Sequence, residues 1–379
     1  MTTSRASQVL PFAGRIVVKV GSSSLTRRDG HLSFAKLNAI VEALVDYRAA
    51  GHEVLLVSSG AQAAAMGALS LTRRPRNLAE AQAAASVGQG LLIAEYTRAF
   101  GAYGIPVGQV LLTAEDVLRR NQYKNASRAL EELLRLGVIP VINENDTVAT
   151  DEIRFGDNDR LAALVAHLSK ADVLVLLTDV DALYTTKPTL PGARRVSVVE
   201  HFDQVEVLDT RAKGSGFGTG GMASKVGAAA MATSSGIPVL LTSADLIVDA
   251  LSASDVGTWF EVTGKRLAAR QLWLAYAADV EGQVVVDDGA ARAVTERNAS
   301  LLPAGVLGTS GSFKAGNVIE IVAGDGTVLG RGRAGFSSTN FEKVRGLSIG
   351  DIEAQFGVSL AHEAVHRDEL VVMARHRRA

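Results

Sequence analysis

Residues 15–24 read Arg-Ile-Val-Val-Lys-Val-Gly-Ser-Ser-Ser. Ile16–Val20 is a short apolar run, and Gly21-Ser22-Ser23-Ser24 after it is a turn. Such a run predicts a strand buried on both faces rather than a half-exposed one. The same unit recurs along the chain. Phe34–Ala50 is read as a helix with Ser33 as N-cap and Gly51 closing it. Strand Val54–Val57 then ends in Ser58-Ser59-Gly60. Next come helix Leu78–Phe100, strand Val107–Leu112, helix Ala126–Leu136, strand Val138–Ile142 and helix Arg160–Leu168. Strand Val173–Leu177, helix Ala223–Ser234 and strand Val239–Leu241 complete the series. Apolar strands alternating with helices imply an α/β fold with a parallel central sheet covered on both sides.

Beyond about residue 270 the pattern changes. Val280–Asp287, Val318–Val322 and Val328–Gly335 read as short strands, and Asp325-Gly326 is a hairpin signal. Residues 14–262 are therefore read as one α/β domain and 275–370 as a small, mostly β domain. Residues 1–13 are read as a flexible leader, and Thr258–Ala275 as the crossing between the two. The length of 379 residues agrees with two domains.

Composition removes several functions. The chain has no cysteine, which excludes disulfide scaffolds, thiolate metal sites and cysteine nucleophiles. A formal charge of −1 argues against a protein built mainly to bind nucleic acid or an anionic membrane. No apolar run approaches the roughly 18 residues that span a bilayer, and no secretory signal is seen, so a cytoplasmic protein is expected.

In open parallel sheets, ligands bind at the carboxyl ends of the strands. Each predicted strand here runs into polar or small residues: Gly21-Ser22, Ser58-Ser59-Gly60, Asn143-Glu144-Asn145-Asp146, Thr178-Asp179. Lys19 sits inside an apolar strand, where an ammonium is costly unless used. It either snorkels from an edge strand or binds an anion beside the glycine turn. Gly214–Lys225 (GSGFGTGGMASK) leads into a helix that carries Lys225. It is either a linker or a loop whose N–H groups hold a phosphate. No Walker-type spacing occurs in the chain. Asp157-Asn158-Asp159 opens another helix. Capping explains one or two of these residues. The rest could bind an ammonium, orient lysines or hold Mg²⁺. Two lysines, a glycine-rich loop, carboxylates and amides without a nucleophile make an inventory suited to phosphoryl transfer.

These residues fall in motifs that resemble the glutamate 5-kinases of the amino-acid kinase family. The motifs are VVKVGSSSLT (17–26), SSGA (58–61), GQVLLT (108–113), PVINENDTVA (140–149), FGDND (155–159), LLTDVDALY (176–184) and GTGGMASK (218–225). ASLLPAG (299–305) and AVHRDEL (364–370) extend the resemblance into the second domain. It implies an αβα sandwich with a mostly parallel sheet, followed by a PUA-like domain. The implied reaction is ATP-dependent phosphorylation of the L-glutamate side-chain carboxylate, with Mg²⁺ arriving on the nucleotide and no dedicated protein ligand for the metal. By the same resemblance Lys19 and Lys225 stabilise the moving phosphoryl group and Asp159 orients them. Ser59, Asn143, Asp146, Asp157 and Asn158 serve glutamate. Lys19, Gly21, Ser22, Thr178, Asp179 and the run Thr219, Gly220, Gly221, Met222, Ala223, Ser224, Lys225 serve ATP. Implied partners are proline as feedback inhibitor, further copies of the chain as a dimer or tetramer, and a functional link to glutamyl phosphate reductase. Residues 280–379 carry 11 Lys+Arg and 12 Asp+Glu, which argues against RNA binding by the PUA-like domain.

Overall fold

In a computed structural model of the chain, Arg15–Val20 is strand β1, in the interior of an eight-stranded sheet. The structure describes residues 5, 9–27, 29–71, 73, 75, 77–113, 116, 120–148, 158–202, 205, 221–252, 254–262, 271, 274–275, 280–297 and 299–373. Two compact units, Met1–Ala269 and Arg270–Ala379, make up the chain.

The first unit holds β2 (Glu53–Ser58), β3 (Val107–Leu112), β4 (Ile139–Glu144) and β5 (Val173–Thr178). It continues with β6 (Leu183–Tyr184), β7 (Arg195–Val196), β8 (Val198–Val199), β9 (Val239–Ser243) and β10 (Thr258–Phe260). Sheet order is β3-β4-β2-β1-β5-β9-β10-β8, while β6 and β7 form a separate antiparallel ribbon. From β3 to β9 every pairing is parallel. Only β10 turns antiparallel, against β9. The chain builds outward from β1 through β2 to β4 and β3, then returns to β5 on the other side of β1. β1 thus lies at the point where strand order reverses, the place where α/β sheets open a ligand crevice.

Helices cover both faces. α1 (Ser22–Leu25) follows β1 directly, and α2 (Phe34–Ala49) follows it after a loop. α3 (Ala61–Ala68) and α4 (Leu78–Gly101) come after β2. α2 and α4 bury Leu37, Leu44, Leu92, Tyr96 and Phe100 against Ile16, Val18 and Val20. α5 (Arg120–Arg135), α6 (Asn158–Ser169) and α7 (Met222–Ser234) pack together on the opposite face. Ser33 caps α2 as its sequence suggests, accepting from the Lys36 N–H. α3 is absent from the sequence reading, because AQAAAMGA is short and only weakly two-sided. It packs on α4 where Gly88 has no side chain: a β-carbon there would lie 1.7 Å from the Ala61 carbonyl oxygen.

Two expectations about the chain's borders change. Thr258–Phe260, read as part of the crossing, is a buried strand of the sheet. Its three residues are too few to show periodicity. Gly257 admits it, with φ +74° and a β-carbon position only 2.3 Å from the Leu241 carbonyl oxygen. At the other border Leu10 is fully buried and Tyr47 donates to its carbonyl (2.7 Å), so the end of the segment read as a leader is packed.

The second unit holds β11 (Gly282–Val286), β12 (Val306–Gly311), β13 (Val318–Ala323), β14 (Val328–Arg333) and β15 (Leu370–Val372), in the order β12-β11-β13-β14-β15. β13 and β14 form the expected hairpin, with Gly326 at φ +84°. Helices Asp288–Arg297, Ser338–Val344 and Ile349–Phe356 accompany the sheet. Phe313, Phe336 and Phe341 make edge-on contacts inside its core.

Candidate functional site

The two-residue period of β1 decides where Lys19 points. Ile16, Val18 and Val20 face α2 and α4, so Val17 and Lys19 face α6 and α7. Lys19 is flanked in register by Val57 of β2 and Leu176 of β5. β1 is an interior strand and the Lys19 side chain is 3% exposed, which removes the snorkelling alternative.

Lys19 ends at Asp159 in the first turn of α6. Its Nζ lies 2.5 Å from Asp159 Oδ1, while Lys225 Nζ, from the start of α7, lies 3.2 Å from Oδ2. Asp159 is fully buried and Lys225 nearly so. Two ammonium groups therefore meet at one carboxylate where water does not screen them, and their field acts at greater strength than on the surface. A β-carbon on Gly21 would stand 3.7 Å from Lys19 Nζ, so the glycine keeps the space beside this ammonium open. α7 begins at Gly221 without a side-chain cap, and Ser224 Oγ, in its first turn, is buried with no partner among the described residues. Uncapped N–H groups at a helix start suit an anion.

A second network lies beside the first. Asn158 Nδ2 donates to Ser59 Oγ (2.9 Å) and to Asn143 Oδ1 (3.0 Å). Asn143 Nδ2 donates in turn to Gln89 Oε1 (2.7 Å). Ser59 follows Ser58, whose hydroxyl shares a 2.9 Å hydrogen bond with the Tyr96 phenol. Burial pushes the Tyr96 phenol far above its ordinary pKa, so it stays a neutral partner. Gln89, Glu144, Asp146 and Thr147 line a cavity of about 250 Å³ with residues of α4 and β3.

The structure thus joins Lys19, Asp159 and Lys225 in one cluster and Ser59, Asn143 and Asn158 in another. Adjacent residues Asn158 and Asp159 link the two. Asp146 stands on the cavity wall. Thr178 and Asp179 lie at the end of β5, with the threonine hydroxyl donating to the Asp179 carboxylate (3.0 Å). Gly21 and Ser22 follow β1, and Gly221, Met222 and Ala223 lead to Lys225. Asp157, Thr219, Gly220 and the rest of loop 214–220 lie outside the described residues. Gln89 is the residue that the sequence reading missed. Its signal was a glutamine, between two glycines, on the otherwise apolar buried face of its helix.

Residues 14–243 match the amino acid kinase family and residues 282–354 match the PUA domain. The glutamate 5-kinase of Streptomyces coelicolor is 52% identical over 369 residues, covering 97% of this chain and 99% of that protein. The chain belongs to the glutamate 5-kinase branch of the amino acid kinase family. Two further glutamate 5-kinases are comparably similar. That of Cutibacterium acnes is 52% identical across 96% of this chain and 93% of its own length. That of Thermobifida fusca is 50% identical across 95% and 94%. The parallel sheet with helices on both faces is thus the amino acid kinase fold, and the β-rich second unit carries the PUA match.

Proposed function

We propose that this kinase transfers the γ-phosphoryl group of ATP to the side-chain carboxylate of L-glutamate, forming L-glutamyl 5-phosphate and ADP, the first step of proline biosynthesis. The observation that carries the chemistry is the buried Lys19–Asp159–Lys225 cluster. In phosphoryl transfer the charge spreads over three equatorial oxygens, and catalysis is largely positioning and electrostatic stabilisation. Lys19 and Lys225 would neutralise that charge, and Asp159, in contact with both, would hold the ammonium groups in position. A preorganised donor of this kind contributes on the order of 100- to 1000-fold in rate.

The substrate carboxylate attacks, so no protein nucleophile is needed. ATP would place its phosphates beside Gly21, Ser22 and the start of α7, with its nucleoside portion toward Thr178 and Asp179. Glutamate would occupy the cavity beside Ser59, Asn143, Asp146 and Asn158, with Asp157 as a further ligand. Among the described residues no group of three His, Cys, Asp or Glu could hold a metal ion. Mg²⁺ is read here as carried by the nucleotide phosphates, whose charge it would offset.

Among the described residues no helix is long and apolar enough to cross a membrane. A cytoplasmic location, proline as feedback inhibitor, assembly into dimers or tetramers and a functional link to glutamyl phosphate reductase belong to the same proposal. So do the domain borders 14–262 and 275–370.

Incubating the protein with L-glutamate, Mg-ATP and hydroxylamine tests the reading. γ-Glutamyl hydroxamate is the expected product. Preference for carbamate, aspartate, N-acetylglutamate or UMP in parallel reactions would overturn it.

A further inference from the structure

We propose that Gln89 is a specificity-determining residue whose Nε2 donates a hydrogen bond to the substrate carboxylate remote from the transferred phosphoryl group. This rests on the glutamate reading above and adds a residue to its site.

The argument starts from a single backbone group. The Glu144 N–H can only donate, and it donates to Asn143 Oδ1 (2.9 Å). The Asn143 amide is thereby fixed, with Nδ2 turned toward Gln89. Gln89 must then present Oε1 to it, since the reverse would set two donors face to face. The same Asn143 oxygen receives Asn158 Nδ2, which fixes the third amide. Asn158 spends its other proton on Ser59 Oγ, leaving the serine's own proton to donate elsewhere. One peptide N–H thus sets the polarity of a chain of three amides and a hydroxyl.

That polarity decides which atoms remain for a ligand. Gln89 Nε2 and Asn158 Oδ1 are buried atoms with no partner among the described residues. An unmet buried donor or acceptor opposes folding, so such atoms point to a ligand that completes them. The chain therefore offers donors at its two ends, Gln89 and Ser59, and an acceptor between them at Asn158. Donors suit a carboxylate and the acceptor suits an ammonium, the two groups on the α-carbon of an amino acid. Gln89 is itself nine-tenths buried and lines the 250 Å³ cavity. It stands at the end of the chain farthest from Asn158, the neighbour of Asp159. A carboxylate bound there is the one that does not receive phosphate. Gly88 supports this placement: α3 and α4 touch backbone to backbone at that residue, which holds the next residue, Gln89, firmly.

The test compares Gln89→Glu and Gln89→Met using L-glutamate and 4-aminobutyrate, which keeps the reactive carboxylate and lacks the other. Glutamate at position 89 can still accept from Asn143, so it preserves Asn143 while replacing the donor by an anion. Methionine removes both hydrogen bonds at similar volume. Both variants are expected to raise the KM for L-glutamate at least tenfold, with kcat and the KM for ATP changed less than threefold. For 4-aminobutyrate the KM should stay within twofold of wild type. A normal glutamate KM in either variant overturns the proposal. An equal rise for both substrates also overturns it, since Gln89 would then act only by holding Asn143. Thermal melts report whether the variants fold. If neither folds, the wild-type enzyme decides: a KM for 4-aminobutyrate within twofold of that for glutamate overturns the role, and one at least tenfold higher supports it. Wild-type inactivity toward both substrates defeats the glutamate reading instead and is seen separately.

Discussion

The two units of this chain bury different things. The first places Lys19, Asp159, Lys225, Gln89, Asn143 and Thr178 out of water, at the carboxyl ends of its strands or on the helices beside them. Among the described residues of the second, every buried side chain is apolar. Its Arg331–Glu320 pair (2.9 Å) stays partly exposed. Burying polar groups opposes folding, and an apolar replacement of equal volume often stabilises. The first unit thus gives up stability where the proposed chemistry needs charge to be aimed, whereas the described core of the second is built for packing. Where a fold keeps its costly interior groups is where its chemistry is to be sought.

The sharpest way to break this comparison is to damage both interiors equally. Asp159→Ala leaves two buried lysines without their shared carboxylate and is expected to cost about 3–5 kcal/mol of stability. Phe341→Ala empties a ring from the second core at a similar ~3–5 kcal/mol. Chemical denaturation of each variant gives these losses. Hydroxamate assays below the melting range should then separate them. Activity disappears in the first variant and stays within a few-fold in the second. Comparable activity loss in both would end the contrast.

Lys225→Ala probes one arm of the cluster. The Lys19–Asp159 pair remains, so the fold should survive, with kcat down by roughly 100- to 1000-fold. Circular dichroism and steady-state kinetics check both halves of this, and an unchanged kcat would remove Lys225 from the mechanism. Gly88→Ala acts through packing instead. The new methyl group would stand 1.7 Å from the Ala61 carbonyl oxygen, 2.6 Å from its carbon and 2.9 Å from the Ala65 nitrogen, so α3 and α4 must part, at a cost of about 3 kcal/mol or more. It should also shift Gln89, so the KM for glutamate rises more than that for ATP. Smallest of all is Arg345→Ala. This residue meets Glu342 at 3.1 Å on the surface of the second unit, and such exposed pairs contribute about 0–1 kcal/mol. A melting curve and assay indistinguishable from wild type are expected.

Much of the fold was legible in the sequence, for identifiable reasons. Five interior strands of the first sheet, β1, β2, β4, β5 and β9, are largely apolar on both faces, so runs such as Ile16–Val20 and Val173–Leu177 declared themselves without periodicity. The helices between them were long enough to read. β10 and α3 were not, because three residues show no pattern and an alanine-rich helix of about two turns has no strong face. Their placement depends on Gly257 and Gly88, glycines whose purpose appears only when another backbone arrives beside them. The candidate site divides in the same way. A lysine inside an apolar run, a lysine after a glycine-rich loop and an acid–amide cluster at a helix start were each visible as local oddities.

By itself, the sequence determined the alternation of strands and helices, the two-domain division and the residue types available for phosphoryl transfer. Those follow from short-range rules of hydrophobic period, capping and turn chemistry. Only the tertiary structure decided that Lys19, Asp159 and Lys225, separated by up to 206 positions along the chain, meet within 3.2 Å. It alone decided that β1 is interior rather than an edge, and that Gln89 joins Asn143. Contacts of that kind are set by strand order and by side-chain direction across the pleat, and neither is written in any local stretch of residues.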